Sequence, residues 1–334
     1  MDPELFLADL ERKPEVLGEL ALSLRAADPW REAGMSGSSH VVFLGMGSSH
    51  YANAVAAARL REAGIDAVAE LASSDLLPRP RPTTVVVAVS ASGGSKETLA
   101  AVERYQGKAP IVAVTNTPGS AIEALSRHVV PMLAGIESGG VACRTFQHTL
   151  ALHLALEESL VGNTVNGCKP CETAMRSAEA SADLLDRRGE WLEAFIDIAI
   201  GPHGTAFVAP NRRLSSAMQG ALMLREGPRR PAVGCETGDW SHVDVYLTKT
   251  TDYRLVLFEG SRWEPELLSW LEKRGSTLVS VGGDVGGANQ TVRYRHDDDD
   301  DVRLLTEVLV AELAAATLWS TPDAPAEPVT PMWR

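Results

Sequence analysis

Thr83-Thr84-Val85-Val86-Val87-Ala88-Val89 runs into Ser90-Ala91-Ser92-Gly93-Gly94-Ser95, and that into Lys96-Glu97-Thr98-Leu99-Ala100-Ala101-Val102-Glu103-Arg104-Tyr105. The first block is β-branched and apolar, as a strand covered on both faces must be. The second has the composition of a turn and the third the pattern of a helix. In a parallel sheet, such a turn stands at the carboxyl end of a strand, where ligands bind. Its glycines let the backbone approach closely. The helix start offers unpaired N–H groups and the positive end of a dipole. The serines add hydroxyl donors. These parts together make a pocket for a phosphate dianion without lysine or arginine. The spacing is neither GxGxxG nor a Walker loop, which disfavours a nucleotide. Taken alone, a Ser/Gly turn is more often only a turn.

Outward from this stretch the unit recurs. The apolar run 41–44 leads into Gly45-Met46-Gly47-Ser48-Ser49 and an Ala-rich helix over 51–63, which Gly64 stops. A strand at 111–114 leads into Thr115-Asn116-Thr117-Pro118-Gly119-Ser120 and a helix, and 129–133 forms a further strand. Residues 3–27 carry Leu and Val at helical spacing, as one amphipathic helix or a pair. The second half repeats the first. Phe43 and Glu62 correspond to Phe207 and Glu226, both offset by 164 (207 − 43 and 226 − 62). Residues 254–258 match 85–89, and 278–281 match 111–114. The fold class is therefore α/β, with two domains of one kind, each a parallel sheet flanked by helices in three layers. The expected divisions are a helical segment (1–35), a first domain with the anion pocket (36–165), a connecting loop and helix (166–194), a second domain (195–325) and a tail (326–334). The second copy has lost the Ser/Gly turns. Ala209-Pro210-Asn211-Arg212-Arg213 and Glu259-Gly260-Ser261-Arg262-Trp263 stand in their places, leaving that copy open to another role. The acidic run 297–301 reads as a solvated loop or a helix start, and 322–331 as an extended tail.

Composition sets the bounds. The chain has 334 residues and a formal net charge of −13, which argues against nucleic acid but not against an anionic substrate. Its acidic start lacks the features of a signal peptide, and no stretch approaches the ~20 apolar residues that span a bilayer. A cytoplasmic protein without membrane contact is expected. Cys168-Lys169-Pro170-Cys171 is a CxxC, with Cys143 and Cys235 standing apart. A surface loop with free thiols is the preferred reading over zinc or redox chemistry. No metal or cofactor is expected.

Several segments together carry a resemblance: Gly47-Ser48-Ser49, Ser90-Ala91-Ser92-Gly93-Gly94-Ser95, Asn116-Thr117-Pro118-Gly119-Ser120, Ala134-Gly135-Ile136-Glu137 with Gly140-Val141-Ala142, and Gly220-Ala221-Leu222-Met223-Leu224-Arg225-Glu226. From about residue 41 onward the chain resembles the SIS (sugar isomerase) family. It is similar to the isomerase half of glucosamine-6-phosphate synthase and to stand-alone two-SIS aminosugar-phosphate deaminases and isomerases. The resemblance implies two tandem SIS domains. It implies a sugar phosphate held by Ser49, Ser90, Ala91, Ser92 and Ser95, with backbone help near Val141. It also implies Glu226 as the catalytic base and His242, sixteen residues later (242 − 226), as the group that opens the sugar ring. In the resembled enzyme that histidine comes from the neighbouring subunit, so a homodimer is implied.

The departures are specific. Met223 replaces the lysine three residues before the glutamate. Asp239-Trp240-Ser241-His242-Val243-Asp244 replaces Glu-Leu-Lys-His-Gly-Pro, and Cys143-Arg144-Thr145 replaces Ser-Thr-Lys. The ending Thr330-Pro331-Met332-Trp333-Arg334 has no lysine for a Schiff base, and no glutaminase segment stands before the resembling region. Full synthase chemistry is not expected. Isomerisation of a hexose phosphate, or of a hexosamine phosphate with loss of ammonia, needs only base, ring opener and phosphate pocket. The alternatives are a sugar-phosphate sensor without catalysis and a subunit that modulates an enzyme partner.

Overall fold

The computed structural model describes residues 1–162 and 168–321. The expected junction at 165–166 and the tails at 322–331 and 326–334 lie outside the described residues. The first half contains α1 (Pro3–Glu11), α2 (Lys13–Ala26), β1 (His40–Gly45), α3 (Ser48–Glu62), β2 (Ala67–Leu71), β3 (Thr84–Val89), α4 (Lys96–Glu103), β4 (Ile111–Thr115), α5 (Ala121–Ala124), β5 (His128–Pro131) and α6 (Arg144–Val161). Two helices follow, α7 (Lys169–Asp186) and α8 (Arg188–Ala199). The second half then contains β6 (Thr205–Ala209), a 3-10 turn (Asn211–Arg213), α9 (Leu214–Glu226), β7 (Ala232–Glu236) and α10 (Thr237–Trp240). It continues through a second 3-10 segment (Asp244–Lys249) to β8 (Arg254–Phe258), α11 (Glu264–Arg274), β9 (Thr277–Val281), β10 (Gln290–Val292), α12 (Asp300–Thr306) and α13 (Leu309–Ser320).

The strands form two five-stranded parallel sheets, ordered β2-β1-β3-β4-β5 and β10-β9-β8-β6-β7. Read from β7, the second order repeats the first. The central strands are buried along their whole length, which is why they read as unbroken apolar runs. Strand alternation divides each core in two. Val41, Phe43, Val85, Val87, Val112 and Val114 face a core shared with α2, α3, α6 and α7. Val42, Leu44, Val86, Ala88 and Ala113 face α4 and α5 on the other side. The second sheet divides likewise. Each half is thus a three-layer sandwich, and α3 packs against α9 where the halves meet.

One expectation is corrected here, and a second resolves to one of its two alternatives. Cys168 and Cys171 are free thiols, but they begin α7 rather than lying in a surface loop. Pro170 fits the first turn of a helix, and Cys171 is buried. The acidic run does start a helix, with Asp299 capping α12 through Asp301 N–H (3.0 Å) and Val302 N–H (3.3 Å). It is not a solvated loop, however. Asp300 pairs with Arg212 (2.6 Å) and Arg213 (3.0 Å), and Asp301 with Arg59 (2.9 Å) and Lys169 (3.1 Å). The counter-charges come from positions that only folding brings near. Among the described residues, no helix is long and apolar enough to cross a membrane.

Candidate functional site

In the first sheet β1 connects outward to β2 while β3 connects the opposite way to β4, so the chain direction reverses between β1 and β3. These strands are hydrogen-bonded neighbours, with Leu44 opposite Ala88. The turns that follow them, carrying Ser49 and Ser90 to Ser95, therefore begin side by side at a crevice suited to a ligand. Helix α3 starts there after Gly47 with no side chain capping its first N–H groups. Two glycines make the approach possible. A Cβ on Gly45 would stand 2.9 Å from the Cβ of Ser49, and one on Gly93, whose φ is +62°, would overlap the Ser120 hydroxyl.

The other members of the turn are held by backbone and hydroxyl contacts. Ser90 is buried, and its N–H donates to Val114 O at 3.0 Å. The Ala91 carbonyl accepts from the Asn116 N–H (3.0 Å) and from the Thr115 and Thr117 hydroxyls (3.3 and 3.1 Å). Ser92 is exposed, and its Oγ accepts from Gly94 N–H at 3.3 Å. The Ser95 hydroxyl caps α4 through Thr98 N–H (3.3 Å) and donates to the Glu97 carboxylate (3.0 Å).

A cleft of about 800 Å³ opens beside this turn. Ala91, Ser92 and Val141 line it, together with residues 115–118, Arg12 at the break before α2, and Val16 and Glu19 on α2. Ser49, Ser90, Ser95, Glu226 and His242 are not among its lining residues. Three polar residues shape the cleft that sequence reasoning did not single out for this work. Asn116 ties two loops together, donating to Gly135 O (2.6 Å) and accepting from Ala134 N–H (2.9 Å). Glu137 closes the start of α6, accepting from the N–H groups of Cys143 (2.8 Å), Arg144 (2.7 Å) and Thr145 (3.0 Å). Asp9 accepts from Gly139 N–H (2.7 Å) and Arg144 (3.0 Å), fastening α1 to the same loop. A carboxylate seven residues before a helix was a signal for Glu137. Nothing local marks Asp9.

Gln219, Met223 and Glu226 follow at i, i+4 and i+7 on α9 and so share one face. Gln219 donates to the Ala142 carbonyl of the cleft wall at 3.0 Å. Met223 is packed into the core with Val141 and Cys143. Glu226 ends the helix, half-buried, and burial raises its pKa above the ordinary carboxylate value. His242 lies elsewhere, in the exposed turn after α10. Its N–H bonds to Asp239 O (2.9 Å), and its ring makes no hydrogen bond among the described residues. Val243, next to it in the chain, is exposed (56%), as are Tyr246 (61%) and Leu247 (47%) in the 3-10 segment that follows.

With this geometry in hand, the comparison with known proteins is direct, because the matched segment spans both serine turns and the loop into α6. Residues 34–158 match the SIS domain family. A glutamine–fructose-6-phosphate aminotransferase (isomerizing) of Sulfurisphaera tokodaii is 24% identical over 340 residues, covering 97% of this chain and 55% of that protein. The chain thus spans about half the length of that relative. Among solved structures, the C-terminal domain of the glucosamine-fructose-6-phosphate aminotransferase of Francisella tularensis superposes with a TM-score of 0.81 at 17% identity, covering 95% of this chain and 97% of the other. The tagatose-6-phosphate ketose/aldose isomerase of Escherichia coli superposes with a TM-score of 0.73 at 15% identity, covering 99% and 97%. These likenesses establish the fold: the SIS domain is followed by a second, SIS-like half.

Proposed function

We propose that the protein is a phosphosugar isomerase acting in the cytoplasm on a hexose or hexosamine phosphate. The observation that carries this reading is the crevice of the first sheet, where two serine-bearing turns and an uncapped helix start follow neighbouring strands and the second of those turns lines the 800 Å³ cleft through Ala91 and Ser92. Hydroxyls of Ser49, Ser90, Ser92 and Ser95 and the N–H groups of the turns take the phosphate, with Ala91 and Val141 bounding the sugar.

The chemistry then needs two proton carriers. His242 gives a proton to the ring oxygen and takes one from the O1 hydroxyl, opening the ring to the aldehyde. Glu226 removes the C2 proton while the aldehyde oxygen O1 takes a proton, giving an enediol; it then returns the proton to C1 while the O2 hydroxyl gives its proton up, a transfer from O2 to O1 that balances the step and yields the ketose. Its burial-raised pKa suits a base that must also be an acid. On a 2-amino sugar, the same transfer gives an imine at C2. Water hydrolyses the imine to the ketose, releasing ammonia. His242 belongs to the neighbouring subunit's cleft in this reading, and the exposed Val243, Tyr246 and Leu247, which follow it in the chain, form the dimer contact.

The buried Met223 favours a second reading, a sugar-phosphate sensor without turnover, because it removes the lysine expected beside the base. One experiment separates the two. Glu226→Gln abolishes C1–C2 proton exchange, followed by deuterium wash-in, while hexose phosphates still raise the Tm. Mixing Glu226→Gln with His242→Asn subunits restores part of the exchange. A wild-type chain that binds sugar phosphates without exchange supports the sensor. Exchange that survives Glu226→Gln places the base elsewhere.

A further inference from the structure

The second sheet has the strand order of the first and therefore the same reversal, here between β6 and β8. Its crevice is filled with arginine. A Cβ on Gly260, whose φ is +125°, would stand 2.8 Å from Arg213 Nη2, 3.1 Å from Arg212 Nη2 and 3.2 Å from Arg303 Nη1. Three guanidinium groups, two from the turn after β6 and one from α12, thus converge on one glycine. Such a cluster persists only with anions beside it. The anions are the chain's own. Asp300 accepts from Arg212 Nε (2.6 Å) and Arg213 Nε (3.0 Å), Glu307 pairs with Arg213, and Glu259 pairs with Arg303 (2.8 Å). A further donor is unspent. The buried Tyr294 hydroxyl has no hydrogen-bond partner among the described residues. It lies 3.5 Å from the point where a Gly282 Cβ would stand, and Arg303 Nε lies 3.3 Å from that point.

We propose that this crevice is a second anion site, for a phosphate-bearing ligand, in which Asp300 is a resident anion that gives way to the ligand. Asp300 is the displaceable member. Its side chain is 35% exposed and that of Arg212 44%, whereas Arg213 and Glu307 are wholly buried. The pair of Asp300 with the exposed Arg212 contributes only ~0–1 kcal/mol, and its bond to the buried Arg213 is the one that the ligand must replace. A phosphate dianion between Arg212 and Arg213 keeps both guanidiniums paired and offers oxygens in the geometry they match. The two crevices differ in kind: hydroxyls and amides in the first, guanidiniums in the second. Binding at the second is therefore the more sensitive to salt.

The test uses inorganic phosphate and the whole chain carrying Ser90→Ala and Ser92→Ala, which weakens the first crevice independently of any catalytic role. Phosphate is expected to raise the Tm of this chain saturably. Adding Arg212→Ala, a change at an exposed side chain, removes that response. Adding Asp300→Asn instead lowers the phosphate Kd at least tenfold. A phosphate response that Arg212→Ala leaves unchanged, or no tightening in Asp300→Asn, overturns the proposal. Loss of catalysis in any of these chains bears only on the first crevice.

Discussion

At Ser95 one hydroxyl is asked to do two things. It caps α4, accepting from Thr98 N–H at 3.3 Å, and its own hydrogen goes to the Glu97 carboxylate at 3.0 Å. In the proposed function a phosphate entering the crevice takes that hydrogen and meets the Glu97 charge. Glu97 is fully exposed, so nothing but these bonds holds it. The hydrogen bond to its own backbone N–H, and then the one from Ser95, keep its pKa below the ordinary value, so it stays ionised at working pH. Glu97→Ala is therefore expected to lower the Kd for inorganic phosphate and for hexose phosphates in titration calorimetry, with the larger gain at low salt. Unchanged or weaker binding would remove Ser95 from the phosphate's partners. This contact also shows the reach of local reading. A Ser-rich turn after a strand was legible, but the carboxylate already occupying its last serine was not, because side-chain geometry decides it.

Among the elements, α2 and α13 are joined by an ion pair, Lys13 with Glu312, in which both side chains are wholly buried. Burial raises the pKa of Glu312, and the Lys13 charge opposes that rise. Removing one partner strands the other in an apolar core, whereas replacing both leaves a packed one. Lys13→Met is expected to cost about 3–5 kcal/mol in urea unfolding, and Lys13→Met with Glu312→Leu to recover most of the loss. A double variant no more stable than the single one would show that the pair is worth more than its packing. The sequence marked residues 3–27 as helical, and they form two helices that break at Arg12. It could not show that the second helix carries a lysine inward, because a buried charge depends on a partner 299 positions away.

On the scale of the whole molecule, two buried histidines couple stability to pH. Burial lowers the His148 pKa to about 4 and that of His153 to about 3. Each ring is bonded as a neutral group, to Met132 O at 2.8 Å and to the Asn53 side chain at 2.9 Å. The unfolded chain takes up protons on both near pH 6.5, and the folded chain does not. These two rings therefore leave stability unchanged above that pH. Below it, each ring costs about 1.4 kcal/mol per pH unit until its folded pKa is reached. The buried Glu307, whose pKa burial raises to about 7, acts in the opposite sense over part of this range, so the histidine effect is read as a difference: in urea unfolding from pH 6.5 to 4, His153→Gln is expected to lose less stability than the parent chain by about 1.4 kcal/mol per pH unit. A slope that His153→Gln leaves unchanged would mean that His153 is protonated in the folded protein. The halves are also tied at this scale: Asp300 closes the second crevice while the adjacent Asp301 holds Arg59 at the far end of α3, the helix whose start forms the first.

What the sequence determined by itself were the features that repeat over a few residues. Unbroken apolar runs require strands buried on both faces, Ser/Gly turns require close backbone approach, and the common offset of Phe43 and Glu62 from Phe207 and Glu226 requires two like halves. The folded chain decided which distant groups meet. Asp9 against Gly139, Gln219 against Ala142, and the acidic run against Arg59, Arg176, Arg212 and Arg213 are contacts between segments far apart in the chain. Charge and hydrogen-bonding capacity are written residue by residue, but the partner that satisfies each is chosen only when the elements pack and water is excluded from between them.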